Sequence, residues 1–159
     1  MARPLVDFAL LDVSKDVIPQ AELRSMVPHR DAFQLLDGIC YYDPEQSLLI
    51  AYKDWTVDAW WAAGHIPGKP LMPGVLMIEG AAQAATFLLK KFNNWPPEKF
   101  VGLGGLDDVR FRGQVVPPAR VHFVVGRGTL SGSRMAKFPT QAFCNGQMIM
   151  DMVLLGVIL

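Results

Sequence analysis

The chain has 159 residues, a length that suits one compact domain, and 51% of them are hydrophobic, which is ample for a packed core. Its 15 basic and 15 acidic residues give a formal net charge of zero, so no overall field attracts the protein to nucleic acid or to an anionic membrane. The two cysteines, Cys40 and Cys144, lie far apart and match no metal-ligand spacing, as expected for reduced thiols in a cytoplasmic protein.

The amino-terminal 28 residues mix charges with sparse apolar positions. Three aspartates interrupt this segment before an apolar core of the signal-peptide type can form, so we do not expect secretion: Asp7, Asp12 and Asp16. The pattern of residues 19–27 predicts a short helix that ends before Pro28. We interpret residues 1–28 as a segment that leads into the main fold, and residues 1–159 as a single domain.

A hairpin and a stiff loop are expected next. The apolar patterns of Phe33–Cys40 and Ser47–Lys53 predict two strands, separated by the turn-forming residues 43–46. Residues 58–61 are expected to form one helical turn. Residues 64–74 are crowded with proline and glycine, which indicates a stiff loop.

One long helix dominates the middle of the sequence. Residues 75–91 contain no proline and are rich in alanine, leucine and methionine, which favour helix. Four later segments with alternating or continuous apolar residues predict four strands: 101–111, 120–130, 137–144 and 147–159. The order of these elements favours an α+β fold in which an antiparallel sheet is wrapped around one central helix.

No segment is expected to cross a membrane. Glu79 and Gln83 interrupt the apolar run of the long helix, and the apolar run at the carboxyl end, Met152–Leu159, is too short to span a bilayer. We therefore expect a soluble protein.

A polar stripe interrupts the long helix. Most positions from Val75 to Leu89 are apolar or small, so this helix should be buried on most sides and should let a sheet approach closely. Glu79, Gln83 and Thr86 share one face because they are spaced by four and three residues. Burying a carboxylate costs several kcal/mol unless the group is paired, hydrogen-bonded or protonated. Glu79 is therefore either a satisfied structural acid or a functional one.

His65 stands at the start of the stiff loop. Proline restricts the backbone at three positions after it, and glycine permits close approaches at two: Pro67, Pro70, Pro73, Gly68 and Gly74. A lone histidine is more often a surface or core residue than a catalyst. Here a rigid connector links His65 to the amino terminus of the helix that carries Glu79, which makes the two residues a candidate pair.

This pair suits the removal of water from a 3-hydroxyacyl thioester. The reaction needs a base for the proton on C2 and an acid for the hydroxyl group that leaves C3. A neutral imidazole accepts protons near working pH, which suits His65 as the base. Burial favours the protonated form of a carboxylic acid, which suits Glu79 as the acid. Free backbone N–H groups near Gly74 and Val75, at the positive end of the helix, could polarise the thioester carbonyl.

The long motif that contains these residues resembles the 3-hydroxyacyl-acyl carrier protein dehydratases of bacterial fatty acid synthesis, in the non-isomerising branch that uses glutamate. Residues 65–79, followed by Ala82 and Gln83, resemble the His-Phe-Pro-Gly loop and helix of that family. Two other stretches resemble its amino-terminal signature and its third-strand region: Pro28-His29-Arg30 before Phe33 with Leu36-Asp37, and Phe111-Arg112-Gly113 before Pro117. The likeness runs from about residue 19 to near the end of the chain.

The resemblance implies a hot-dog fold, an acyl tunnel, and no cofactor or metal. It implies that His65 and Glu79 are catalytic, in a homodimer where His65 of one subunit faces Glu79 of the other, and that such dimers can assemble in threes. The expected partner is an acyl carrier protein that bears the substrate, with coenzyme A thioesters as the alternative. Glutamate at the acid position implies dehydration without isomerisation.

Some features leave the details open. Four departures from the family pattern bear on tunnel shape and chain length: Ile66, Gly80-Ala81, Asp31-Ala32 and Pro118-Ala119. Gln83 either orients the Glu79 region or satisfies a backbone group. His29 and Arg30 are expected to stabilise the amino-terminal segment, and His122 is expected to be an ordinary strand residue.

Two other functions remain open. In a hot-dog thioesterase Glu79 would activate water to attack the thioester carbonyl, a reaction with no evident need for the His65 loop. In a non-catalytic protein that binds acyl carrier, the fold would be kept without turnover. An acidic carrier would contact basic side chains, for which there are seven candidates: Lys69, Arg110, Arg112, Arg120, Arg127, Arg134 and Lys137.

Overall fold

Three α-helices and seven strands form in the part of the chain that a computed structural model describes, residues 3–132 and 134–159. The helices are α1 (Gln20–Met26), α2 (Ala62–His65) and α3 (Gly74–Phe92). The strands are β1 (Gly38–Asp43), β2 (Leu48–Trp55), β3 (Val101–Phe111), β4 (Ala119–Val125), β5 (Thr129–Ser131), β6 (Met135–Cys144) and β7 (Gln147–Ile158). Single turns of 3-10 helix occur at Phe8–Leu10 and Asp31–Phe33.

The strands form one antiparallel sheet that holds α3 against one face. The strand order is β1-β2-β4-β6-β7-β3, and the short β5 pairs with β6. Burial alternates along β7, where Met150, Met152 and Leu154 point into the core, because successive side chains of a strand lie on opposite faces. The structure confirms the α+β class and the single long helix, which runs one residue further at each end than predicted.

The central helix is buried on most of its surface, as its composition predicts. Phe87 and Leu88 are fully buried and help to fill the core between helix and sheet. A β-carbon at Gly80 would lie 2.4 Å from the Phe123 ring of β4, so the absence of a side chain there lets helix and sheet approach closely. The prediction of a close approach through small residues is confirmed.

The amino-terminal segment covers the opposite face of the sheet. Four buried side chains form a second, smaller apolar cluster on that face: Cys40, Ile50, Val124 and Phe143. Four side chains from the beginning of the chain pack against them: Val6, Phe8, Leu11 and Val13. The helix α1 instead lies on the main core, where Leu23 is 4% exposed. The segment before α1 is thus part of the packed structure, which the sparse apolar pattern did not predict.

The first strand begins at Gly38, five residues later than the sequence predicts. Asp31–Phe33 forms a 3-10 turn, and Asp31 adopts a left-handed backbone conformation with φ 52°. Side-chain groups of Gln83 bond to the carbonyl of Phe33 and the N–H of Leu35. These backbone groups are therefore satisfied by the helix rather than by a neighbouring strand.

Two other predicted elements differ from the structure. The segment 120–130 contains two strands rather than one, because the chain breaks at Gly126–Gly128, where the Phe138 ring occupies the space beside Gly128. The helical turn expected at residues 58–61 appears as turns, and the helix α2 begins after them. Across the described residues, no helix combines the length and the apolar character needed to cross a membrane.

Candidate active site

Two of the three residues of the polar stripe predicted on α3, Glu79 and Thr86, lie on the least buried face of that helix, whereas Gln83 is buried. Val75 is exposed, whereas Glu79, Ala82 and Thr86 are half-buried along the same side. The side chain of Glu79 is 29% exposed. The carboxyl group is thus held within the fold yet remains reachable from outside, which a general acid requires.

Gln83 is the main anchor of this region. Its Oε1 accepts a hydrogen bond from the Leu35 N–H at 3.1 Å, and its Nε2 donates to the Phe33 carbonyl oxygen at 2.8 Å. The same Nε2 donates its second proton to Glu79 Oε1 at 2.9 Å. One amide therefore satisfies two backbone groups and also bonds to the Glu79 carboxyl group, so the contacts of both alternatives that the sequence left open for Gln83 are made.

His29 is the second neighbour of Glu79. Its Nε2 atom lies 3.3 Å from Glu79 Oε1. The sequence placed His29 within a motif but assigned it only to the stability of the amino-terminal segment. Arg30 has that role, because its guanidinium donates to the carbonyl oxygens of Val27, His29 and Arg24. No local spacing signals the contact between His29 and Glu79, which depends on how α1 and the following loop lie across α3.

His65 is the last residue of α2, and the stiff loop begins after it. The prediction that His65 itself belongs to that loop is wrong, because its N–H donates to the Trp61 carbonyl oxygen at 2.9 Å and completes a helical turn. The side chain is exposed. It lines two open clefts of about 370 and 390 Å³, which share Val75 and lie on either side of the start of α3.

The amino terminus of α3 adjoins both clefts. Gly74 and Val75 are the first two residues of the helix, and their N–H groups have no intrahelical acceptor. No backbone acceptor for either N–H occurs among the described residues. A β-carbon at Gly74 would lie 2.8 Å from the Phe111 ring, so glycine lets the end of β3 cover this turn. Two donors at the positive end of a helix can hold developing negative charge.

His65 and Glu79 do not meet within one chain. Over the described residues, the ion pairs and hydrogen bonds of Glu79 are with His29 and Gln83, and none involves His65. The structure therefore brings Glu79 and Gln83 together, and places His65 beside Gly74 and Val75. Within one chain these two groups of candidate residues are separate.

The surroundings of two tryptophans, the basic candidates and His122 complete the description of this region. Trp61 is buried with its ring packed edge-on against Trp55, whereas Trp60 is exposed and lines a cleft with His65. Three of the seven basic candidates for carrier contact are paired with carboxylates: Arg112 with Asp151, Arg120 with Asp54, and Lys137 with Asp107. The hydrogen bonds from Arg120 lower the pKa of Asp54. Burial lowers the pKa of the His122 imidazole, which packs against Phe8.

Comparison with known proteins identifies relatives over most of the chain. The family model of the FabA-like domain matches residues 27–153. The 3-hydroxyacyl-[acyl-carrier-protein] dehydratase FabZ of Myxococcus xanthus is 36% identical over 130 residues, which cover 73% of this chain and 84% of that protein. The protein of the same name from Chlamydia trachomatis is 34% identical over 138 residues, covering 86% of this chain and 90% of that protein.

Solved structures share the fold at lower identity. The dehydratase heterocomplex ApeI:P from Xenorhabdus doucetiae matches with a TM-score of 0.70 at 15% identity, over 86% of this chain and 90% of that chain. An antiparallel sheet wrapped around one long helix, shared with that structure, defines a hot-dog protein. The chain belongs to the FabA-like family and, within it, to the 3-hydroxyacyl-acyl carrier protein dehydratases.

Proposed function

We propose that this protein dehydrates 3-hydroxyacyl thioesters carried on acyl carrier protein to trans-2-enoyl thioesters, in fatty acid or related acyl-chain biosynthesis. The names of its relatives support the reaction, and the environment of Glu79 supports it in this chain. The observation that carries the proposal is a partly exposed carboxyl group that a buried glutamine holds in a fixed orientation on the central helix. Residues 1–159 act as one hot-dog dehydratase domain, with residues 1–28 as its amino-terminal segment.

Each step of the reaction has a residue to perform it. His65 takes the proton from C2, and the electron pair of the C2–H bond forms the C2–C3 double bond. The N–H groups of Gly74 and Val75 hold the charge that gathers on the thioester oxygen. The C3–O bond breaks with its electron pair on oxygen, and Glu79 delivers the proton that turns the departing hydroxyl into water. The products are the enoyl thioester and one water molecule, and no cofactor takes part.

The active site is composed of two chains. His65 of one subunit faces Glu79 of the other, since these residues make no contact within a chain and His65 is exposed. The strand β3 is an edge of the sheet in the described residues, and it exposes Leu103 and Leu106. An exposed apolar edge strand favours pairing with a second copy of the chain. These features support a homodimer, and we propose that such dimers can assemble in threes.

The carrier approaches near His65. Lys69 lies in the loop that follows that residue, and acyl carrier proteins are acidic partners that positive charge attracts. Coenzyme A thioesters, which are also anionic, can use the same positive charge. The two free cysteines are buried, which agrees with a reducing cytoplasmic setting.

Turnover of defined thioesters tests this function. We would incubate the purified protein with 3-hydroxyacyl carrier-protein thioesters of several chain lengths, and follow loss of water by mass. His65→Ala and Glu79→Gln should each lower kcat by roughly 100-fold or more without loss of folding, because each removes one proton-transfer group. Intact substrate at every chain length would contradict the proposal, and released thiol would instead indicate a thioesterase.

A further inference from the structure

Two donor groups face the same oxygen of Glu79. Gln83 Nε2 donates to Oε1 at 2.9 Å, and His29 Nε2 lies 3.3 Å from that same oxygen. The contact with His29 does not have the alignment of a hydrogen bond in this structure, but catalytic contacts are often long or poorly aligned before substrate binds. Over the described residues, the hydrogen bond from Gln83 and the contact given for His29 both end on Oε1, and no hydrogen bond reaches Oε2, the second oxygen of the carboxyl group. The two oxygens of the acid therefore have different surroundings.

If the Gln83 amide turned its oxygen toward Glu79, it would lose its two hydrogen bonds to the backbone. The Leu35 N–H needs the acceptor Oε1, and the Phe33 carbonyl needs a donor from Nε2. Reversing the amide would leave both backbone groups opposite the wrong atom, and the cost of two unmade buried hydrogen bonds opposes it. Glu79 Oε1 consequently always faces an N–H group of Gln83.

His29 is held in place with one ring nitrogen free for Glu79. The carbonyl oxygens of His29 and of Val27, two residues earlier, both accept hydrogen bonds from the Arg30 guanidinium, which fixes the backbone at this point. Nδ1 of His29 is buried, and no polar partner for it occurs within the described parts of the chain. A proton on Nδ1 would be buried without an acceptor, so the geometry assigns the proton to Nε2.

We propose that His29 is a positioning residue that, together with Gln83, reserves Oε1 of Glu79 as an acceptor and leaves the transferable proton on Oε2. A carboxyl oxygen that accepts from two donors has no lone pair in its plane for a proton of its own. The O–H bond that breaks during water release is then the one on Oε2, and its proton passes to the departing hydroxyl oxygen. The same two donors stabilise the carboxylate that remains. This inference rests on the proposed dehydratase function.

Three substitutions of His29 separate positioning from simple packing. The amide nitrogen of glutamine extends about as far as Nε2 of histidine, whereas that of asparagine reaches only the place of Nδ1. His29→Gln should therefore retain kcat within roughly threefold, and His29→Asn and His29→Phe should each lower kcat roughly 10-fold or more with little change in KM. Melting temperature should be similar in the Gln and Asn variants. Wild-type kcat in the Asn variant, or equal losses in all three that follow their melting temperatures, would overturn the proposal.

A measurement without substrate keeps this test independent of turnover. Long-range nitrogen–proton NMR spectra of the His29 ring report which nitrogen carries the proton. We expect the Nε2–H form in the wild type, with a shifted Nε2 signal in Glu79→Leu and an unshifted one in Thr86→Val on the same helix face. The Nδ1–H form, or no response to Glu79→Leu, would overturn the positioning role. Absence of enoyl product with the Nε2–H form present would contradict the dehydratase function and leave the positioning geometry standing.

Discussion

The middle and the carboxyl-terminal end of α3 each bury a long polar side chain but satisfy it in different ways. Gln83, at the middle of the helix, is 1% exposed, and Lys90, near its carboxyl-terminal end, is 2% exposed. Lys90 Nζ donates to the carbonyl oxygens of Met26 and Pro97, both at 2.8 Å. Gln83 bonds to two backbone groups as well, but its remaining N–H reaches Glu79.

Lys90 and Gln83 differ in the groups that accept their hydrogen bonds. Lys90 joins α3 to the last residue of α1 and to the turn after α3, and burial lowers the pKa of its ammonium group. Gln83 ends on a carboxyl group that remains partly exposed. A buried polar side chain on a helix thus indicates chemistry only where it supports a reactive group that substrate can reach.

Replacing Lys90 should have the largest effect on stability. Lys90→Met leaves the Met26 and Pro97 carbonyls without their buried donor, and should lower the free energy of unfolding by roughly 2 to 5 kcal/mol. Lys91→Met is the matched control, since Lys91 pairs with the partly exposed Glu22 and should cost less than about 1 kcal/mol. Denaturant unfolding measures both. Loss of kcat in folded Lys90→Met protein would contradict the purely structural role of Lys90.

Replacing Gln83 should change stability and activity together. Gln83→Leu removes the bonds to Leu35 and Phe33, and should lower the free energy of unfolding by roughly 1 to 3 kcal/mol. It also frees Glu79 Oε1, so kcat should fall roughly 10-fold at a temperature where the variant is folded. Unfolding curves and initial rates on the same preparation measure the two effects. A stable, slow variant or an unstable, fully active one would assign Gln83 to one role alone.

The smallest expected effect is on the pH dependence of stability, and it arises from His122 on the sheet face opposite α3. Burial lowers the pKa of His122 from its ordinary value of 6.5, so the unfolded state binds a proton first as pH falls. Stability should therefore decrease below about pH 6.5, by at most about 1 kcal/mol at pH 5.5 once solvent screening of the partly exposed ring is allowed for. His122→Gln should lose this component of the pH dependence. Equal acid sensitivity in both proteins would show that other groups cause it.

The sequence predicted the long helix, the second strand of the hairpin and three of the four later segments well, because each depends on local composition and periodicity. It did not predict the split at Gly126–Gly128, which depends on the distant Phe138 ring. The packing of Phe8 on the outer sheet face was also missed, because apolar residues without a regular period do not indicate which surface they cover. The candidate residues were found from a motif, whereas the contact of His29 with Glu79 needed the folded chain.

Subunit mixing tests the composite active site most directly. His65→Ala and Glu79→Gln proteins, each nearly inactive alone, would be dissociated, mixed in equal amounts and reassociated, with heterodimers counted by native mass spectrometry. One site in each heterodimer then has both residues, so activity should recover to about a quarter of the wild-type value. Mixing either variant with the double variant His65→Ala/Glu79→Gln should restore none. Heterodimers without recovered activity would contradict a site shared between two chains.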